Sequence, residues 1–232
     1  DRLVAEGLAL PFDAWPCFHT RMYVIEAPWC RCGIVARTIG GPYAVLVAEQ
    51  LAACGARVIL GLTSAGRVSP ALPVPSVVVA DRAIRDEGTS YHYLAAGEAI
   101  ACPQQVTEAL EREVGSLGLP VRRGTVWTTD APYRETAEQL ARHAEAGVLA
   151  VEMQAASLFA FSAARGVPVG VVAHVTNAID HAGEPFDKGL QDTDRLLLEA
   201  MCKAGASIVY AQHDGPADDL AKPNATRALE ET

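Results

Sequence analysis

The sequence predicts a layered α/β fold, and three observations carry that reading. Between residues 32 and 61 a strand pattern, a paired-glycine loop, a helical pattern and another strand follow one another, which is a βαβ unit and implies parallel pairing. Residues 148–161 pass from a short apolar run with β-branched members into a stretch where Ala155, Leu158 and Phe161 recur at helical spacing. Two small-residue loops, 39–42 and 62–66, fall at strand carboxyl ends, where such folds collect ligands.

The bulk numbers bound the class. At 232 residues, half of them hydrophobic, the chain can bury a real core as one domain. No apolar run approaches the ~20 residues of a membrane span, and Glu6 interrupts any signal-like core at the amino terminus. A net charge of −9 argues against binding nucleic acid, which calls for a basic face. Six cysteines are scattered, and only Cys30 and Cys32 are close, with no second ligand pair at zinc-like spacing. They read as small buried thiols of a reduced, cytoplasmic protein.

In order along the chain, residues 1–20 form an irregular arm and 21–26 alternate as a strand, with a turn at Pro28 and Trp29. Residues 32–38 return as a second strand. The glycine loop follows, then a helix over 43–53 that stops at Gly55. Residues 57–61 are a strand ending in the 62–66 loop, and 77–80 are a buried strand. The polar segment 83–93 carries Tyr91, His92 and Tyr93 in succession, too bulky for an idle exposed turn, and reads as lining a site. A helix over 103–115, a strand over 121–128, a polar loop over 129–136 and a helix over 137–146 stopped by Gly147 come next. After 148–161, residues 167–175 are a strand whose His174 reads as a satisfied core histidine. A helix over 190–211 closes the fold and 213–232 is a tail.

The polar residues Glu152 and Gln154 flank Met153 at the strand-to-helix junction of an apolar stretch. Such a pair is costly unless it faces a cleft or is fully hydrogen-bonded, and the residues alone leave both open.

Five segments together resemble the nucleoside phosphorylase family of uridine phosphorylases, hexameric purine nucleoside phosphorylases and methylthioadenosine nucleosidases. They are Thr38-Ile-Gly-Gly-Pro42, Arg85-Asp-Glu-Gly-Thr-Ser-Tyr-His-Tyr93, Thr128-Thr-Asp-Ala-Pro-Tyr-Arg-Glu-Thr136, Val151-Glu-Met-Gln-Ala-Ala156 and Val175-Thr-Asn177. The likeness spans about residues 20–211 and is nearest the uridine-phosphorylase-like branch. It implies a three-layer α/β/α sandwich around a mixed, mostly parallel sheet. It also implies phosphorolysis of a nucleoside to free base and ribose 1-phosphate, through an oxocarbenium-like state. Phosphate is then a co-substrate, with no cofactor and no metal. The resemblance further implies a dimer-based homo-oligomer, up to a hexamer.

Carried onto this chain, Glu152, Met153 and Gln154 stand at the ribose-binding triplet. Arg134 and Asn177 stand at catalytic and base-binding positions, with Gly66 also toward the base. Ser64, Gly41, Arg37 and Arg21 are the weaker phosphate candidates, with Arg67 nearby. The departures are as informative. No Gly-Asp-Pro loop precedes residue 20, Gly61 replaces an expected phosphate arginine, and Gln154 is neutral where the family has glutamate. These departures keep two alternatives open: a nucleosidase that uses water, and a nucleoside-binding member without turnover.

Overall fold

The computed structural model describes residues 2–27, 30–178 and 191–212. The expected turn at residues 28 and 29, residues 179–190 and the tail lie outside them. In chain order the elements are α1 (Arg2–Ala5), β1 (Leu10–Pro11), β2 (Met22–Ala27), β3 (Cys30–Val35), α2 (Gly41–Ala53), β4 (Ile59–Arg67) and β5 (Ser76–Asp86). There follow β6 (Ala99–Ala101), α3 (Gln104–Gly115), β7 (Val121–Thr129), α4 (Ala137–Glu145), β8 (Ala150–Glu152), α5 (Ala155–Arg165), β9 (Val169–Ala178) and α6 (Gln191–Ala211).

The central sheet is mixed, in the order β6-β5-β7-β8-β4-β9, and β9 also pairs back onto β5. Parallel ladders join β4 to β9, β5 to β7 and β7 to β8; antiparallel ones join β4 to β8, β5 to β6 and β5 to β9. The helices pair around it, α2 with α5 and α3 with α6. The α/β class with a mixed central sheet is therefore the one expected.

The βαβ unit is not. β3 pairs antiparallel with β2, from Met22 opposite Val35 to Ala27 opposite Cys30, in a separate three-stranded sheet with β1. Strands only two residues apart in sequence pair at lower loop-closure cost than a strand carried across a helix. Helix α2 thus bridges two sheets. The expected loop at 62–66 is also strand: β4 continues to Arg67 because β8 and β9 offer it partners on both edges. The only break is a bulge, where Ala65 faces Val175 but Gly66 faces Asn177, so β9 carries Thr176 as the extra residue.

Glycine sets two close approaches. At Gly170 a Cβ would lie 2.6 Å from Leu110 and Val106, so its absence lets α3 rest on the strand. At Gly61 a Cβ would meet Leu158 of α5 and Val171, both at 3.4 Å. Helix α5 was expected to bury one stripe, but every residue from Ala155 to Ser162 is buried, wedged between α2 and the sheet.

Candidate active site

Glu152 ends β8 and its carboxylate sits at the amino terminus of α5. Its two oxygens accept from the backbone N–H of Gln154 at 2.6 Å, from that of Ala155 at 3.0 Å and from the Thr128 hydroxyl at 2.6 Å. The Thr128 oxygen in turn accepts from the Ala156 N–H at 3.0 Å. Only 3% of the residue is exposed. Burial pushes the carboxyl up to about 7, against the Thr128 hydroxyl and the N–H groups of Gln154, Ala155 and Met153, which pull it down. For Glu152, of the two readings the sequence left open, the hydrogen-bonded cap is the one adopted. Its acceptor capacity is used within the chain, and it orients the two residues that follow.

Those two are half-buried and meet the glycine loop. The Gln154 side-chain nitrogen donates to the Thr38 carbonyl at 3.0 Å, and the Met153 methyl lies 4.0 Å from where a Gly40 Cβ would be. Gly40 has φ of 82°, a conformation glycine takes without strain. Gly41, expected at the phosphate, is buried with its α-carbon pressed on Ser157 of α5, where a Cβ would collide with the hydroxyl. The loop is therefore docked on α5 from one side and held by Gln154 from the other.

The 85–93 segment is knitted to the same helix. Ser157 donates to the buried Glu87 carboxylate at 2.5 Å, which also accepts from the Ser90 N–H at 2.9 Å. The Arg85 guanidinium donates to the Ser90 hydroxyl at 2.9 Å and the Ala95 carbonyl at 2.7 Å, and lies over the Tyr91 ring. Tyr93 donates to Glu49 of α2 at 2.8 Å. Gly88, Thr89, His92 and Tyr93 do line an open groove of about 520 Å³, facing Pro42 and Leu46 of α2. Glu87 and Ser157 had no role in the sequence reading; Glu87 lay within a motif already singled out, whereas Ser157 carried no signal of its own.

At the sheet rim the strands bring three expected residues side by side. Gly66 pairs with Val151 on one side and Asn177 on the other, so Glu152, Gly66 and Asn177 stand on adjacent strand ends. Ser64 is exposed and opposite His174, whose ring nitrogen is 3.1 Å from Asp194 of α6, a satisfied histidine as expected. Of the phosphate candidates, Arg37 adjoins the glycine loop with φ of 66°, Arg67 ends β4 beside Ala150 and Ala178, and Arg21 is exposed just before β2.

Arg134 is on a 3-10 turn after β7 (Pro132–Arg134), exposed, and lines a cavity of about 200 Å³ with Asp86, Trp127, Thr129 and Glu135. None of Glu152, Met153 or Gln154 lines that cavity. The two places are joined through β7, where Thr128 holds Glu152 and the next residue, Thr129, walls the Arg134 cavity. The Trp127 ring nitrogen donates to Asp86 at 2.9 Å and its ring stacks on His143. Among the described residues no cluster of three or more His, Cys, Asp or Glu could hold a metal ion, and no helix is long and apolar enough to cross a membrane.

Residues 2–209 match the family model of the phosphorylase superfamily. The chain belongs to that superfamily. It is 30% identical over 172 residues to a uridine phosphorylase of Thermococcus kodakarensis, a match covering 65% of this chain and 61% of that protein. A guanosine phosphorylase of Halorubrum lacusprofundi is 30% identical over 72% of this chain and 68% of its own length. The uridine phosphorylase of Escherichia coli is 27% identical over 74% and 73%. These superfamily relatives act on both pyrimidine and purine nucleosides by name, so membership alone leaves the base open.

Proposed function

We propose that this chain cleaves the N-glycosidic bond of a nucleoside by phosphorolysis, releasing the base and ribose 1-phosphate. The observation that carries the reading is the Glu152 cap, which turns Met153 and Gln154 toward the glycine loop beside the strand ends of Gly66 and Asn177. The ribose lies there with Met153 against its face. The Gln154 nitrogen is engaged by Thr38, so its oxygen accepts a sugar hydroxyl. As the glycosidic bond stretches, positive charge grows on the sugar and negative charge on the base. Asn177 and Arg134 offer hydrogen bonds and charge to the departing base, which favours a pyrimidine, and Gly66 lets the base approach the strand. Phosphate enters as co-substrate near Arg37, Ser64, Gly41 and Arg21, with no cofactor or metal. The working form is a dimer-based homo-oligomer in the cytoplasm.

Hydrolysis by water is the second reading, favoured by Gly61: the missing arginine's position is packed against Leu158 and Val171. A nucleoside panel assayed with and without inorganic phosphate separates the two. Base release that requires phosphate supports phosphorolysis. Equal release without phosphate makes the chain a nucleosidase, and binding without release leaves it a nucleoside-binding protein.

A further inference from the structure

Of the six cysteines expected as small buried thiols, Cys17 and Cys102 are buried and Cys54 is exposed. Cys17 belongs to the arm that precedes β2. With Trp15 it packs on Val47 of α2, and Tyr43 and Leu51 of the same helix rest against that cluster. The Cys17 sulfur is 3.2 Å from Nε2 of His19, and the other ring nitrogen, Nδ1, is 3.3 Å from the Tyr43 hydroxyl. That hydroxyl also donates to the His19 carbonyl at 3.4 Å. A carbonyl can only accept, so the tyrosine proton goes there and Nδ1 carries the proton of its own bond. Nε2 is left with its lone pair toward the thiol. A neutral ring accepts the S–H, and after proton transfer the imidazolium donates to a thiolate, so all three bonds persist in both states. His19 is exposed whereas Cys17 is only 5% exposed, which puts the sulfur one imidazole beneath solvent.

We propose that Cys17 is a peroxide-oxidised thiol with His19 as its base, and that its oxidation undocks the arm from α2. Hydrogen peroxide, little larger than water, reaches the sulfur past His19, where a bulkier electrophile is excluded. The thiol proton passes to Nε2 and the thiolate attacks one peroxide oxygen. The S–O bond forms, the O–O bond breaks, and its electron pair leaves on hydroxide, which takes the proton back from the imidazolium as water. The sulfur is oxidised by two electrons to a sulfenic acid, and one peroxide is reduced to water. The added oxygen meets Trp15 and Val47, both more than nine-tenths buried, and overpacking there pushes the arm away. Tyr43 stands two residues after Gly41 in α2, so the relay ends beside the glycine loop. No residue assigned to the nucleoside takes part in it.

The full chain is treated with hydrogen peroxide, quenched with catalase, then unfolded in excess dimedone, and the adducts are mapped by peptide. Cys17 should carry the adduct ahead of the exposed Cys54. In His19→Ala the ring that covers the sulfur is gone, so a thiol limited by access alone would oxidise faster. A thiol that needs the base should oxidise at least about tenfold more slowly. Hydrogen exchange of the amides of residues 12–20 should rise in the oxidised wild type and stay at its starting rate in Cys17→Ser treated alike. Adducts no faster at Cys17 than at Cys54, oxidation unchanged or faster in His19→Ala, or unchanged exchange in the oxidised wild type would each overturn the proposal. The first and last are read in wild-type protein, so they do not depend on a variant folding.

Discussion

Gln154 differs from glutamate by one donor, and that donor is in use. Its side-chain N–H bonds the Thr38 carbonyl, which can only accept. From sequence, Gln154→Glu looks like the restoration of a ribose carboxylate and a gain in turnover. The geometry reverses the sign: a carboxylate would face a carbonyl, the glycine loop would lose its tether, and kcat/KM for base release should fall about tenfold, the equivalent of one lost hydrogen bond. An increase in steady-state kinetics would show that Thr38 is not what Gln154 serves. Glu152 gives a pH signature. Its folded pKa of about 7 lies above its ordinary value of 4.5, so the folded state holds the proton longer than the unfolded one. Its contribution to stability is fully present below about pH 4.5 and declines as pH rises, being lost through about pH 7. Denaturant unfolding of wild type against Glu152→Gln should show the difference shrinking by up to about 3 kcal/mol between about pH 5 and pH 8; a constant difference would contradict it. That Glu152 and Gln154 matter was legible in the sequence, because polar residues interrupt an apolar stretch. Which of them faces inward was not, because that depends on Thr128, a strand away.

At the scale of elements, α2 and α5 are fastened by contacts that leave almost no space between Gly41 and Ser157. Gly41→Ala drives a methyl group into the Ser157 hydroxyl and should cost about 1–3 kcal/mol by overpacking. Ser157→Ala alone also destabilises, since the buried Glu87 carboxylate loses its hydroxyl donor. In the double variant the collision is relieved, so the two losses should sum to more than the measured total. Strict additivity in urea unfolding would mean that α2 does not rest where the glycine puts it. Most helices were readable from spacing and glycine stops: α2, α3, α4 and α5 begin and end within a few residues of their expected bounds. Strand partnership was not, since residues 32–38 look the same whether they pair with the preceding strand or cross to a later one. Residues 62–66 were read as a loop for the same reason, because only β8 and β9 on either edge make them strand.

On the scale of the whole molecule, the sheet closes because Ser76–Ala80 of β5 pairs with Val171–Val175 of β9, segments far apart in sequence. Local pattern carries no trace of that pairing, yet it sets the ring of strand ends on which Glu152, Gly66 and Asn177 stand together. The family likeness supplied the ribose and base assignments, and the coordinates supply their supports: Thr128 under Glu152, Thr38 beside Gln154, Ser157 behind Gly41. Arg134 is the residue most exposed to test, because none of the triplet lines its cavity. A crystal structure of the protein soaked with uridine and phosphate addresses this directly. The account predicts the furanose between Met153 and the 38–41 loop, with a hydroxyl on the Gln154 oxygen and the base reaching past Gly66 toward Asn177. Uridine found instead in the groove between α2 and residues 88–93, with the rim empty, would contradict it.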